Sequence, residues 1–335
     1  MKLFNKKDDH KTEQEKVEER REEVLATGRK FKYPLQWTKH RVVINTILIA
    51  VIVLAITITG GWLALYRFNM TDEMLFRITK IIPVSVASVD AENVRFSDYL
   101  MLYRSSVLSI ERQSGQLGDG GSVEDLRNRY RRAALDEAEE YVYAMKLAKE
   151  NNITVTNEEI AKEFDRHLKI GSTDRSEASF VKIIEENFGL TKCEYERMLY
   201  LNIIKAKVQA QIDQKATEIA NQVESLLANN GGDYIKIAET LGESIQYEET
   251  GGMVSTQNLD GGRASEAFKL EPGGQSGKFI SMNGDGYYFV KLVNKTDTSV
   301  NFVSIKVPFT EFQTQFDNLR AEDKIKEYIE IKTDI

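Results

Sequence analysis

The apolar positions of this chain follow three different patterns, each predicting a different kind of element. The first has no period. Residues 42–65, VVINTILIAVIVLAITITGGWLAL, contain no charged side chain. At 1.5 Å per residue such a helix spans roughly 36 Å, enough for a hydrocarbon layer of about 30 Å with some tilt. Trp37 and Trp62, with Tyr33 and Tyr66 beside them, flank the run where amphipathic rings favour the headgroup zone. A buried core helix would be unusually long at this composition. A cleaved signal peptide would have an apolar region of about 7–15 residues behind a short basic stretch, whereas 41 residues precede this one. Residues 42–66 therefore read as an uncleaved transmembrane signal anchor.

The second pattern is helical. Lys11 to Ala26 reads as a polar helix ending near Gly28, with Val17, Val24 and Leu25 as its main apolar positions. Residues 67–88 read as a connector. A short extended start then leads into a helix with Phe96, Leu100 and Tyr103 in phase. Ser114 to Ser122 is glycine-rich and reads as a loop or disordered insertion. A long helix from about Val123 to Glu150 follows, with Leu126, Tyr130, Ala134, Ala138, Tyr141 and Met145 on one stripe, ended by Asn151-Asn152. Two capping boxes mark further helix starts, Thr156 with Glu159 and Thr191 with Glu194: each hydroxyl faces the third helical amide while the glutamate reaches back to the cap. Between them lies a helix carrying Phe180, Ile184 and Phe188, closed by Gly189. The helix opened at Thr191 is expected to continue through Lys207 to about Asn229, and FTEFQTQFDNLRAEDKIKEYIEI near the other end of the chain reads as one more helix.

The third pattern alternates. KFISMNGDGYYFVKLVNK is a strand pair joined through Asn283-Gly284-Asp285-Gly286, and VNFVSIKVPF is another strand. With the short helices around Tyr234 and Ala267 these make a small mixed module. Of Tyr287, Tyr288 and Phe289, alternation predicts two in the core and one facing out. The fold class is α+β, mostly helical, with one transmembrane helix.

Charge adds an orientation. Residues 1–41 hold 12 Lys and Arg against 8 Asp and Glu, leaving 33 against 44 for the rest of the chain. Arg29, Lys30, Lys32, Lys39 and Arg41 crowd the N-terminal flank of the apolar run, which predicts a cytoplasmic N-terminus and an extracytoplasmic remainder. The acidic remainder carries no basic stripe and argues against nucleic acid as a partner. Chemistry is sparse. One cysteine, Cys193, precludes an intrachain disulfide, and three histidines, His10, His40 and His167, give no metal-ligand spacing. No cofactor or metal is expected.

The order of V-D-A-E plus helix, then ALDEAEEYVYAMKLAKENNITVTNEEIAKEFDRHL, then FGLTKCEYERMLYLNIIKAKV, resembles the N-terminal helical domain of the SurA/PrsA/PpiD foldases over roughly Val89 to Val208. A second resemblance begins further on. G-D-Y-x-x-x-A, Gly251-Gly252, Ala267-Phe268-Lys269-Leu270-Glu271-Pro272-Gly273 and Gly286-Tyr287-Tyr288-Phe289-Val290-Lys291-Leu292 are similar, in order, to the parvulin-type peptidyl-prolyl isomerase domain.

That resemblance implies a pocket of two histidines, a Cys or Asp, and a Met/Phe shelf that favours the twisted X-Pro amide. Here Tyr288 stands in for the second histidine, and no histidine follows His167. The shelf segment is shortened to Gly261-Gly262-Arg263, and the opening strand is missing ahead of the module. Val303-Ser304-Ile305 is a candidate to replace that strand from the C-terminal side, with Ser304 in the histidine position. No catalytic residue carries over, so Tyr288, Ser304 and Phe268 are candidates only for a degenerate pocket, which the shortened segment is expected to leave open to water. Little or no isomerase activity is expected.

The expected organisation is a cytoplasmic tail over 1–41, an anchor over 42–66 contacting the bilayer, a SurA-like helical chaperone domain over 67–215 completed by 309–335, and a degenerate parvulin-like domain over 216–308. The implied function is a membrane-anchored extracytoplasmic chaperone for unfolded or nascent secreted and membrane proteins. The client groove is expected between the helical domain and the module. The alternatives are an active parvulin-type isomerase and a structural or assembly protein of an envelope complex.

Overall fold

The computed structural model describes residues 13–114, 123–169, 175–229, 232–258 and 260–331, with side chains described in these ranges outside 29–39, 110–114 and 123–124. The expected loop from Ser114 to Ser122 lies outside the described residues except for Ser114, as do the side chains of Tyr33 and Trp37. The chain divides into two compact units, Met1–Ala64 and Leu65–Ile335.

The first unit is one helix, α1 (Glu13–Trp62). It does not stop at Gly28 as its sequence suggested. A helical glycine costs only about 1 kcal/mol relative to alanine, and the ladder continues past it. The stretch His40–Arg67 is long and apolar enough to cross a membrane. Its apolar side chains are exposed, Ile47, Val51 and Ile58 among them. Thr46 and Thr57 turn their hydroxyls onto carbonyls four residues back, each at 2.9 Å, so neither presents an unsatisfied donor.

A single π-helical turn (Leu63–Arg67) spans the division, and α2 (Glu73–Ile81) follows in the second unit, a helix within what the sequence suggested was a plain connector. A hairpin follows: β1 (Ser85–Val89) and β2 (Glu92–Arg95) meet through Asp90 and Ala91, both at positive φ. Positive φ at both central positions is the turn geometry that suits the strand twist. Next come α3 (Phe96–Ser114), α4 (Val123–Glu150), α5 (Asn157–Leu168), α6 (Glu177–Phe188) and α7 (Lys192–Ile212). Both capping boxes form, Thr156 with Glu159 and Thr191 with Glu194. Gly189 closes α6 in the left-handed region at φ 65°.

These helices enclose one core in which Phe96, Leu100, Leu135, Tyr141, Ile184 and Leu201 are buried. Phe312, Phe316 and Leu319 of α11 (Glu311–Ala321) belong to the same core. The C-terminal segment is not one long helix, however. Asp323, at φ 54°, ends the turn after α11, and β8 (Ile325–Glu327) pairs antiparallel with β1, Val89 opposite Ile325.

A break also separates α7 from α8 (Gln214–Asn229), where the sequence suggested continuous helix. Asp213 sits there, 1 % exposed. Its Oδ1 accepts from the Ala216 amide at 2.8 Å, and its Oδ2 from the amides of Thr310 and Glu311 at 2.7 and 3.0 Å. One carboxylate therefore caps the helix that leads into the small module and holds the backbone where the chain comes out of it.

Inside the module, α9 (Tyr234–Leu241) precedes β3 (Gln246–Glu249), β4 (Val254–Ser255), α10 (Arg263–Phe268), β5 (Phe279–Ile280), β6 (Gly286–Lys295) and β7 (Ser299–Pro308). The strand order is β3-β7-β6-β5, all antiparallel, with β4 beside β7. Gly284, in the β5–β6 turn, lies so close to α7 that a Cβ there would meet the Ala206 Cβ at 2.6 Å. That contact sets the turn against the helical lobe.

Candidate functional site

Alternation along β6 and β7 sends successive side chains to opposite faces of the sheet. Tyr287, Phe289, Ile305 and Val307 face α8 and α9. Val290, Leu292, Val300 and Phe302 face α10 with Ala264 and Ala267. Both faces are covered, so the expected outward-facing aromatic is absent: Tyr287, Tyr288 and Phe289 are 8 %, 3 % and 0 % exposed. The register places Val290 opposite Ser304, Tyr288 opposite Lys306, and Glu248 of β3 on the other side of Ser304. One end of the α10 face is therefore polar.

Arg263, the first residue of α10, closes this end. Gly261 and Gly262 precede it at φ 76° and 93°, a backbone path that favours glycine. The Arg263 guanidinium lies 5.1 Å from the Tyr288 ring centroid, approaches the Ser304 hydroxyl at 3.5 Å and pairs with Glu248. Its Nε donates to the Asp260 carbonyl at 2.9 Å, while the Asp260 carboxylate accepts from the Ala264 amide. A planar cation on an aromatic face, held at its edge by a carboxylate, is a favourable arrangement for arginine.

Beneath it, Tyr288 donates to Asp285 at 3.1 Å and Lys306 reaches the same carboxylate at 2.6 Å. Burial alone would raise the Asp285 carboxyl, but hydrogen bonds from Lys306, Ser281 and Tyr288 hold it below its ordinary value. Burial, and then the charge of Asp285, push the Tyr288 phenol above its ordinary value. Tyr288 is thus a neutral donor at any physiological pH.

Of the three residues marked in the sequence, the structure brings two together. Tyr288 and Ser304 both lie under Arg263, with Ser304 1 % exposed. Phe268 is 39 % exposed, with the Lys295 ammonium 5.8 Å from its ring centroid, and takes no part. Arg263 lies over Tyr288 and Ser304, so the expected open pocket is narrowed to a cleft on the Ser304 side. Glu248, Asp285 and Lys306 were not singled out in the sequence. The alternation of β7 does place Lys306 in phase with Ser304, which is the one signal that pointed there.

Two hollows adjoin this site, and a third lies elsewhere in the fold. A cleft of about 160 Å³ beside Arg263 is lined by Glu248, Thr250, Asp260, Phe302 and Ser304. A second, of about 210 Å³, runs between the end of α5 and the module, past Arg166, Lys169, Gln257, Gly262 and Met282. The third, of about 300 Å³, lies in the helical lobe among Tyr103, Val107, Leu108, Phe188 and Arg104. The second occupies the position expected for a client groove, but only Gly262 and Met282 make its named wall apolar. No group of three or more His, Cys, Asp or Glu side chains among the described residues is placed to hold a metal ion.

No curated protein matches the chain. The family model described as the SurA-like N-terminal domain matches residues 35–209, which takes in the apolar stretch as well as α2 to α7. With more than half of its length matched and the helical core formed over the same residues, the chain belongs to the SurA-like N-terminal domain family.

Proposed function

We propose that this protein is a membrane-anchored, extracytoplasmic chaperone. It holds unfolded or newly translocated polypeptides and has little or no prolyl isomerase activity. In this reading 1–41 is a cytoplasmic tail, 42–66 the anchor, 67–215 with 309–335 the client-binding helical domain, and 216–308 a degenerate parvulin-like module. Membership of the SurA-like family supports the chaperone part. The exposed apolar helix and the basic flank before it support the anchor and its orientation. An anchor confines the chaperone near chains emerging from the membrane, which raises their effective concentration.

The observation that carries the catalytic part is Arg263. Where the parvulin resemblance puts an X-Pro pocket, its guanidinium covers Tyr288 and Ser304 and is tied to Glu248. Favouring a twisted amide needs a desolvated pocket complementary to it, and a guanidinium lying over Tyr288, paired with a half-exposed carboxylate, leaves little room for the substrate there. β7 supports the idea that the missing opening strand is supplied from the C-terminal side, since Ser304 lies between Glu248 and Val290 at the centre of the sheet.

The test uses the full chain in detergent micelles. It is expected to suppress aggregation of a denatured client at near-stoichiometric ratio without nucleotide. It is expected to leave a proline-limited refolding phase of tens to hundreds of seconds unaccelerated. Tyr288→Phe is expected to leave client binding unchanged. Acceleration well above background that Tyr288→Phe abolishes would promote the isomerase reading. Failure to bind any unfolded client at high micromolar concentration would promote the assembly-protein reading.

A further inference from the structure

The helix α2 is apolar on two sides, and the fold covers only one of them. Phe76 and Thr79 point inward, 5 % and 1 % exposed, and Phe76 takes Lys80 and Arg104 against its ring. At about 100° per residue, Met74, Ile78 and Ile81 fall within about 60° of one another on the side away from Phe76. They are 73 %, 38 % and 84 % exposed. Ile82 continues the stripe past the helix end, and Phe68 and Met70 precede it, all exposed. Scattered exposed apolar residues need no explanation, but six large ones within 15 residues of sequence do. The charged residues keep to the edges of the stripe: Arg77 pairs with Glu73, and Lys80 with Glu194 at 2.6 Å.

We infer that this stripe rests in the surface of the lipid bilayer, with Met74, Ile78 and Ile81 in the boundary between headgroups and acyl chains. The inference rests on the reading of residues 42–66 as a membrane anchor and adds a second contact to it. The argument for lipid is chain continuity. Five residues, 68–72, separate the last helical turn at Arg67 from the start of α2. Even fully extended they reach only about 20 Å, so an anchored chain keeps the stripe beside the headgroups at all times. The shape agrees. The outer crest of a helix is convex, unsuited to enclosing an extended client, while a two-turn apolar stripe matches the immersion of about 5–10 Å typical of interfacial helices. Arg67 and Arg77, both exposed, flank the stripe with cationic heads that can extend to headgroup level.

The test uses the full chain carrying Cys193→Ser, reconstituted into phosphatidylcholine–phosphatidylglycerol vesicles, with one environment-sensitive fluorophore on Met74→Cys or Ile81→Cys. Ile49→Cys within the span and Glu239→Cys, exposed on α9, are the references. The probes at 74 and 81 are expected to emit at shorter wavelength than the probe at 239. Lipids bearing a shallow nitroxide should quench them at least about twofold more than that reference. Ile78→Ser is expected to reduce this quenching at position 74. If position 49 is quenched while 74 and 81 behave like 239, the inference fails and the anchor stands. A blue shift without quenching by lipid nitroxides marks a protein occupant, a client or a second copy, and also overturns it. If position 49 itself is not quenched, the anchor reading falls, and this inference with it.

Discussion

The two faces of the five-stranded sheet are built from the same strands, yet they solve burial differently. Toward α8 and α9, Phe289, Ile305 and Val307 are fully inaccessible and meet only apolar partners and tyrosines. Toward α10 the apolar set Val290, Leu292 and Phe302 gives way at one end to Tyr288, Lys306, Ser304, Glu248 and Arg263. The first face stabilises through area removed from water. The second end holds together through pairing, and each charge there has an opposite partner. The contrast teaches where polar side chains can sit inside such a sheet without opening its core: at one end of one face, where each charge meets its opposite.

The largest effect that tests this contrast is on the apolar face. Phe289→Ala is expected to cost about 3–5 kcal/mol, since it removes a fully buried ring from a packed cluster. Urea unfolding of the full chain in micelles, followed by far-ultraviolet circular dichroism, measures it. A cost below about 1 kcal/mol would mean that this face is not the module's core. Arg263→Ala, on the other face, should cost less, about 1–2 kcal/mol: it removes one cation–π contact and one ion pair whose carboxylate is half exposed and can rehydrate. A loss equal to that of Phe289→Ala would erase the distinction between the faces.

The smallest effect asks what keeps a buried carboxylate charged. Glu139 of α4 is the contrasting case. It is wholly inaccessible, and its Oε2 meets Arg320 at 3.1 Å and Arg132 at 3.9 Å, but its Oε1 has no hydrogen-bond partner among the described residues. Burial, then the nearby Glu327 charge, outweigh the two arginines and push its carboxyl up to about 7. Asp285 also has one oxygen, Oδ1, without a hydrogen-bond partner among the described residues, but Lys306 and Tyr288 both donate to its Oδ2 and it moves the opposite way. A raised carboxyl binds its proton more tightly in the folded state. Its contribution to stability is therefore fully present below the ordinary carboxylate range and lost as pH rises through about 7. Glu139→Gln mimics the protonated form. It should match the parent at pH 5 and exceed it at pH 8 by on the order of 1 kcal/mol, read as a difference in melting temperature. A difference independent of pH would refute this.

Much of the helical lobe was legible because its signals are local. The bounds of α4 follow from its stripe and Asn151-Asn152, and the starts of α5 and α7 from two capping boxes complete within four residues. The hairpin at Asp90-Ala91 was hidden because an alanine occupies a positive-φ position where glycine or asparagine is the usual sign. β8 was hidden for another reason. Its partner strand lies more than 230 residues earlier, and IKE carries no alternation of its own. At the candidate site, Tyr288 and Ser304 were marked through the parvulin resemblance, as the residues standing at its histidine positions. Arg263 showed only as part of a shortened segment, because its role depends on the two preceding glycines swinging it across the sheet.

The double duty of Asp213 bears on how the chain can be assembled and rearranged. The segment from 214 to 309 leaves and returns within the reach of one side chain, so its two ends are stitched at a single point. To the helical lobe the excursion is a closed loop, and lengthening or replacing it adds only a slowly growing, logarithmic entropy cost. α11 can therefore dock onto the helical core, whose last helix ends about 100 residues earlier, and β8 onto β1, more than 230 residues earlier, whatever the excursion contains, provided the stitch holds. A lobe organised in this way can keep its fold while the inserted sheet changes, as a socket outlasts the tool fitted to it.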